Sequence, residues 1–411
     1  LSAVFSSAVF ATNGMYLIGF GTASRGMGGA AYALAEDSLI AAVNPAGISS
    51  VDTKTMRVDG NLLAFSPDRM ASCCLAPEGE VSGATLYAIP SMGMVMKFNR
   101  KLTVGMAFVG AGGGGTRYNF NFFGGDGSLG VTLFQAIMSP TASYKINKNH
   151  YIGVSPLFGI QMFRAYGLQP FIQFSADKEN VTNRGNDWAV GMGGRLGYQG
   201  YFFDKKVSIG AVYSSRIYMT KFDKYRGLFA EQGSLDAPEN FGAGFALRPT
   251  KKLTLAFDWQ RYLYSDVAAI GNLSLPISAA ANDPNNMGRN KGPGFGWKDQ
   301  DVFKVGIQYK LNPKWIMRAG YNYGKSPIPT RPGGGELEFN VLAPATVEKH
   351  ITLGGTYKIN PSMEFSFDWV HAFKNKQSNF IPSGTGLPFE NETIEIEMQQ
   401  YALELGFTYK L

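Results

Sequence analysis

From about Arg57 to the end of the chain, apolar and polar residues alternate with period two in one segment after another. Leu253, Leu255, Phe257 and Trp259 alternate with Thr254, Ala256, Asp258 and Gln260. Met363, Phe365, Phe367 and Trp369 alternate with Glu364, Ser366 and Asp368. At the end, Tyr401, Leu403, Leu405, Phe407, Tyr409 and Leu411 alternate with Ala402, Glu404, Gly406, Thr408 and Lys410. A period of two puts successive side chains on opposite faces of a strand. Large apolar groups on one face and charges on the other suit a strand between lipid and water.

The segments between these strands sort into two kinds. Short polar turns fall near 99–101, 147–149, 201–204, 249–251, 312–313 and 360–361. Long irregular stretches fall near 67–85, 119–130, 166–186, 221–238, 267–299, 325–346 and 375–392. The two kinds alternate strictly, which is the pattern of a membrane barrel with short turns at one end and long loops at the other. Counting predicts an all-β, antiparallel transmembrane barrel of about 14 strands, an even number, with both chain ends on the periplasmic side. A soluble sandwich would also alternate, but it has no reason to sort its loops by length.

Residues 12–56 lack the alternation. They are rich in glycine and alanine, as in the run from Gly26 to Ala35. A barrel of this size leaves a lumen too wide for its own side chains to fill. The segment is therefore expected to be a plug of short helices and turns inside the barrel, with 57–411 as the barrel itself. Residues 1–11, Leu1 to Ala11, have the look of the end of a signal-peptide apolar region, and Val9-Phe10-Ala11 resembles its cleavage site. The mature chain is expected to start near Thr12.

Composition changes the picture only in part. The 411 residues are 45% hydrophobic and 13% aromatic, with 51 glycines. No apolar run approaches the roughly 18 residues of a spanning helix. The net charge of +7 comes from lysines and arginines scattered in turns such as Asn99-Arg100-Lys101 and Asp204-Lys205-Lys206. Such scatter argues against nucleic acid and fits solvated turns with some affinity for anionic head groups. The two cysteines, Cys73 and Cys74, are adjacent, a spacing that disfavours a disulfide between them and makes a poor metal site. Gly26, Gly28 and Ala31 imitate a dinucleotide fingerprint but follow no strand. His150, His350 and His371 are scattered. No cofactor, metal or catalytic set is expected.

The most unusual strand is the third, which starts at Leu102 and runs into Gly110, Gly112, Gly113, Gly114 and Gly115. Glycines inside a strand pack nothing and mark bends, bulges or breaks in pairing. The run is read either as a lateral opening or as a flexible strand end leading into the loop at 119–130.

Asp37 to Gly47 contains Asn44-Pro45-Ala46. The proline pushes Asn44 out of helical geometry, and the asparagine can bond loose backbone groups. With the glycine- and alanine-rich stretch before it and about 14 strands behind it, this run resembles the hatch of the FadL/TodX family of outer-membrane channels. Gly296 to Gln300, Arg318 to Pro327 and Leu342-Ala343-Pro344 add to the resemblance, which spans the mature chain. It implies passive uptake of hydrophobic molecules (long-chain fatty acids or hydrocarbons) across a Gram-negative outer membrane, by a monomer among outer-membrane lipids and lipopolysaccharide. Asn44, Pro45 and Ala46 would then sit near an inward kink of the third strand. Ile270, Leu273 and Leu275 would collect substrate. Met15, Tyr16, Leu17, Ile18 and Phe20 would hold or release it. Arg164 and Lys298 best match the basic lumenal residues that hold a carboxylate in some members, with Asp299 near Lys298. The competing expectations are a structural or adhesive surface barrel with a closed lumen, and a polar-solute porin, which the plug disfavours.

Overall fold

The computed structural model describes residues 13–73, 76–274, 280, 283–330, 336–381, 383 and 391–411. The signal-like residues 1–11, together with Thr12, lie outside them, as do Cys74 and Leu275. Fourteen antiparallel strands close into one barrel. They are β1 Met56–Cys73, β2 Tyr87–Lys97, β3 Leu102–Tyr118, β4 Leu129–Lys145, β5 His150–Tyr166, β6 Asp187–Phe202 and β7 Val207–Ser214. The second half is β8 Asn240–Leu247, β9 Leu253–Tyr262, β10 Gln300–Lys310, β11 Trp315–Gly324, β12 Lys349–Lys358, β13 Met363–Phe380 and β14 Thr393–Lys410. Each pairs with its sequence neighbours, and β1 pairs with β14 from Arg57↔Lys410 to Ser72↔Glu395 to close the cylinder. Short pieces at Ala76–Val81 and Tyr218–Met219 add to β1 and β6.

The alternation maps onto the wall as expected. Tyr401, Leu403, Leu405, Phe407 and Tyr409 of β14 are exposed on the outside, while Ala402, Glu404 and Thr408 are buried inside. The outward apolar faces of neighbouring strands join into one band, far larger than the apolar patches of soluble proteins. Among the described residues no helix is long and apolar enough to cross a membrane.

Two strands run further than the pattern indicated. β1 continues to Cys73 and β13 to Phe380, where long loops had been expected from 67 and 375. Here the outward alternation breaks off. On β13 and β14 ion pairs such as Lys374–Glu397 at 2.7 Å and Lys376–Glu395 at 2.6 Å replace it, so the sheet stands above the apolar band. In the other direction, β7 and β8 have only eight residues each. Cys73, expected as a free thiol, is disulfide-bonded.

Residues 13–55 fill the lumen with short helical turns at Thr22–Arg25, Ser38–Ala42 and Pro45–Ser50. Inward polar side chains of the wall hold them. Asp258 accepts from the backbone N–H groups of Ala31 at 2.7 Å and Tyr32 at 2.9 Å. Asp59 accepts from the Ser38 N–H at 2.8 Å. Arg25 of the plug lies 3.3 Å from both Asp368 and Glu404 of the wall, with all three buried. Removing one member of such a set leaves a buried charge unpaired, at a cost of roughly 3–5 kcal/mol.

Candidate functional site: the β2–β3 seam and the lumenal cavity

The two edges of β3 differ. Toward β4 it is paired from Leu102↔Tyr144 to Tyr118↔Leu129, with a bulge between Gly110 and Gly112. Toward β2 the ladder ends at Val109↔Ser91, although β2 itself continues to Tyr87 against β1. Tyr87–Pro90 and the glycine run therefore face each other without ladder hydrogen bonds. Pro90 has no N–H to offer such a ladder.

The bulge turns backbone groups of β3 inward, and the chain's N-terminal segment takes them up. Leu17 N–H donates to the Ala111 carbonyl at 3.4 Å, and Gly113 N–H donates to the Met15 carbonyl at 3.2 Å. Tyr16 thus bridges to Gly112 as a one-residue strand. The glycines make this possible. A Cβ on Gly112 would lie 2.2 Å from the Met15 carbonyl oxygen, and Gly113 has φ of 142°, which favours glycine. A Cβ on Gly110 would lie 2.3 Å from Cγ2 of Ile89, so that isoleucine fills the space between β2 and β3. Gly114 and Gly115 pair regularly with Leu133 and Thr132, so on the β4 side the irregularity lies between Gly110 and Gly112 alone.

Arg69 of β1 closes the upper end of the seam. Its Nη1 donates to the Gly115 carbonyl and, at 3.2 Å, to that of Ala84. Above it, Gly83 N–H donates to the Arg117 carbonyl at 2.8 Å. Below it, Leu17 and Ile18 pack with Phe65, Tyr87 and Ile89 behind the gap.

A cavity of about 60 Å³ borders this segment on the lumen side. Its apolar lining includes Tyr16, Leu17, Phe20, Leu157 and Tyr262. Its two cations are Arg195 and Lys304. Arg195 donates through Nε to Ser214 Oγ at 2.7 Å and through Nη1 to the Ala42 carbonyl. Lys304 donates to Gln260 Oε1 at 2.8 Å. Both are buried, and among the described residues no carboxylate lies within ion-pair distance of either. Arg195 is thus a buried cation bonded only to neutral oxygens, an environment that favours an added anion, whereas Lys304 stands across the β9–β10 ladder from the buried carboxylate of Asp258.

A second cavity, of about 40 Å³, lies beneath the long loops and is almost wholly apolar, with Phe163, Phe171, Phe229, Phe295 and Phe339 in its wall. Phe339 belongs to the loop helix Glu336–Asn340. In the same helix, burial pushes the Glu338 carboxyl up to about 8. An aromatic chain joins the two cavities. Ring centroids lie 6.2 Å apart for Phe295–Trp297, 5.2 Å for Trp297–Tyr264, 5.6 Å for Tyr264–Tyr262 and 5.0 Å for Tyr262–Tyr16. These residues come from three separate stretches, at 16, 262–264 and 295–297, of which Tyr16 was the one named from the sequence as meeting substrate.

The structure places other expected residues differently. Arg164 is exposed on the outer face of β5, over the Tyr166 ring at 5.4 Å, because it shares parity with Ile152, Val154 and Ile160. Lys298 is exposed in a loop. Its supposed neighbour Asp299 pairs with Arg261 at 3.3 Å instead. Neither cation reaches the lumen from there; the cations that line the lumenal cavity are Arg195 and Lys304. Asn44, Pro45 and Ala46 lie away from the seam, against β5 and β6. Asn44 Nδ2 donates to the carbonyls of Tyr32 at 2.7 Å and Tyr198 at 3.0 Å, and its Oδ1 accepts from Ala46 N–H at 3.1 Å. The Gly197 surface lets that side chain approach, since a Cβ there would lie 2.2 Å from Asn44 Oδ1. The segment hydrogen-bonded to the bulge of β3 is Met15–Leu17. Of the expected loop residues, Ile270 is buried and Leu273 is exposed.

A closed antiparallel barrel with an apolar outer band and a plugged lumen defines an outer-membrane channel protein of Gram-negative type. The chain belongs to the outer membrane protein transport protein family (OMPP1/FadL/TodX), whose profile matches residues 1–410. Its fold is similar to that of the toluene transporter TodX of P. putida, with TM-score 0.68 and 18% identity over 96% of this chain and 99% of that one. It is similar also to a Pseudomonas aeruginosa FadL homologue, with TM-score 0.71 and 14% identity over 97% and 99%. The Ralstonia pickettii toluene transporter TbuX gives TM-score 0.66 and 18% identity over 96% and 99%. No curated protein matches in sequence.

Proposed function

We propose that this chain is a passive channel that collects hydrophobic molecules under its long loops, holds them in the lumenal cavity and releases them sideways through the β2–β3 seam. The short turns and both chain ends face the periplasm in this reading. The observation that carries it is the seam. It is a stretch of wall without ladder hydrogen bonds, filled by Ile89 and backed by a displaceable N-terminal segment that also borders the cavity. Withdrawal of Met15–Leu17 would open the cavity toward the wall at a place where no ladder has to break. Open backbone edges are not exposed to lipid unless protein shields them, and that segment and Ile89 supply the shield at rest. A downhill gradient suffices, because an apolar surface lowers the free energy of an apolar solute relative to water.

Arg195 and Lys304 favour a substrate with a carboxylate, such as a long-chain fatty acid. The aromatic chain from Phe295 to Tyr16 favours a second reading, an uncharged hydrocarbon. Uptake into proteoliposomes of a matched fatty acid and hydrocarbon separates them. The expected result is uptake of the acid, with Arg195→Leu or Lys304→Leu weakening its binding about tenfold, the size of one charge-assisted hydrogen bond. Hydrocarbon uptake at an equal rate, indifferent to both substitutions, would select the second reading. Uptake of neither by a folded barrel would sink transport and leave a structural barrel.

A further inference from the structure

Charge is segregated between the two ends of the barrel. The six short turns hold nine lysines and arginines against one acid, Asp204. The seven long loops hold 11 lysines and arginines against 17 aspartates and glutamates. The short-turn end is thus strongly positive in a protein whose net charge is only +7.

An apolar residue accompanies the cations. Five of the six turns begin with a large exposed apolar side chain: Phe98 63%, Ile146 51%, Phe203 76%, Leu311 54% and Ile359 44%. The remaining turn follows Leu247, which is 38% exposed. Turn geometry does not require them. In the first turn Asn99 Oδ1 accepts from the N–H groups of Lys101 and Leu102, both at 2.8 Å. Asn312 does the same for Lys314 and Trp315 at 2.9 Å. The side chains that open these turns are left free, next to lysines.

We propose that this rim is a docking surface for anionic phospholipid. The apolar residues reach the boundary between acyl chains and head groups, and the lysines meet the phosphates. The proposal rests on the orientation given above, which puts the short turns at the inner, phospholipid leaflet. An apolar side chain paired with cations is the combination that binds an anionic membrane surface. Its repetition in five of the six turns, all but 359–362, matches a laterally continuous partner. A single acidic protein would need the charge gathered on one side. The outward pair Trp315 and Tyr357, with rings 4.8 Å apart just above Lys314, continues the rim into the apolar band.

Tryptophan quenching by lipids with brominated chains tests this in the full-length barrel. Trp315 stands at the short-turn end, and Trp188, 52% exposed, at the start of β6 near the long loops. Variants keeping only one of the two report the two ends, compared in brominated phosphatidylglycerol and phosphatidylcholine. The expected association ratio is about threefold in favour of phosphatidylglycerol at Trp315 and near unity at Trp188. The preference at Trp315 should disappear in about 0.5 M salt. It should also disappear when Lys101, Lys148, Lys251, Lys252 and Lys314 are changed to glutamine. Bound phosphatidylglycerol, counted by native mass spectrometry on the protein with all its tryptophans, should fall in the same variant. Strong quenching at Trp315 with a ratio of one would overturn the lipid preference alone. So would a preference that survives the glutamine changes. No quenching by either lipid would overturn the membrane orientation and the proposal with it, whatever the uptake assay shows.

Discussion

The same strand, β3, has one edge that is closed and one that is not. Its β4 edge absorbs the glycines through a bulge and keeps its ladder to Tyr118. Its β2 edge stops at Val109 and meets Ile89, Pro90 and the N-terminal segment instead. Both edges contain the same residues, so glycine content alone does not open a wall. A proline in the partner does not distinguish them either, since Pro140 of β4 sits opposite Met106 within the closed ladder; what sets the β2 edge apart is a bulged residue whose carbonyl points inward and a separate segment that donates to it. The bulge serves both edges, re-aiming Ala111 on one while preserving register on the other.

The sharpest way to break the comparison is to make the open edge behave like the closed one. A Cβ on Gly110 would lie 3.8 Å from Cβ of Ile89, which is the usual Cβ separation in a disulfide. In a background with Cys73 and Cys74 changed to serine, Ile89→Cys with Gly110→Cys should staple the seam. Uptake into proteoliposomes should fall by tenfold or more when oxidised and recover on reduction; equal uptake in both states would remove the lateral route. A smaller effect is expected from taking away what the open edge borrows. Deleting residues 13–20 should reduce uptake several-fold while the barrel still shows its heat-modifiable mobility. Gly112→Ala should move in the same direction, because its Cβ would collide with the Met15 carbonyl. Uptake unchanged in both would count against the N-terminal segment as a gate.

Much of the wall was legible in the sequence, because lipid on one side and a polar lumen on the other impose a period of two. The parity of that period also carried information about the site. Arg164 falls in step with Ile152, Val154 and Ile160, which puts it outside, while Arg195 and Lys304 fall out of step with Leu196 and with Phe303 and Val305. The glycine run marked the strand that carries a bulge. What it could not convey is that Gly114 and Gly115 stay in a regular ladder, since that depends on where the bulge settles. The bonds from Met15 and Leu17 to β3 are made by backbone, which leaves no trace in side-chain type. Asn44 packs against β5 and β6 because glycines at 153 and 197 make room there, a match between positions more than a hundred residues apart. The aromatic chain from Phe295 to Tyr16 is a tertiary coincidence of the same kind.

Arg69 offers the smallest and most discriminating change, because it sits where the open edge becomes closed again. Its guanidinium ties the Gly115 carbonyl of β3 to the Ala84 carbonyl beyond the end of β2, across a gap that no ladder spans. Arg69→Met keeps a long unbranched side chain in a site that is 1% exposed but gives up those bonds. Losing hydrogen bonds from a charged donor to buried carbonyls costs roughly 1.5–3 kcal/mol, which the closed barrel can absorb. The seam would then extend upward to the Gly83–Arg117 bond, the next tie above it. If seam length limits release, uptake should rise about two- to threefold, within the range that one such hydrogen bond can shift. Hydrogen exchange at Gly115 and Thr116 should quicken at the same time, with no change along the β4 ladder at Leu133 and Phe134. Faster exchange with unchanged uptake would mean that the seam's upper end is structural and that release is limited below it, at Met15–Leu17.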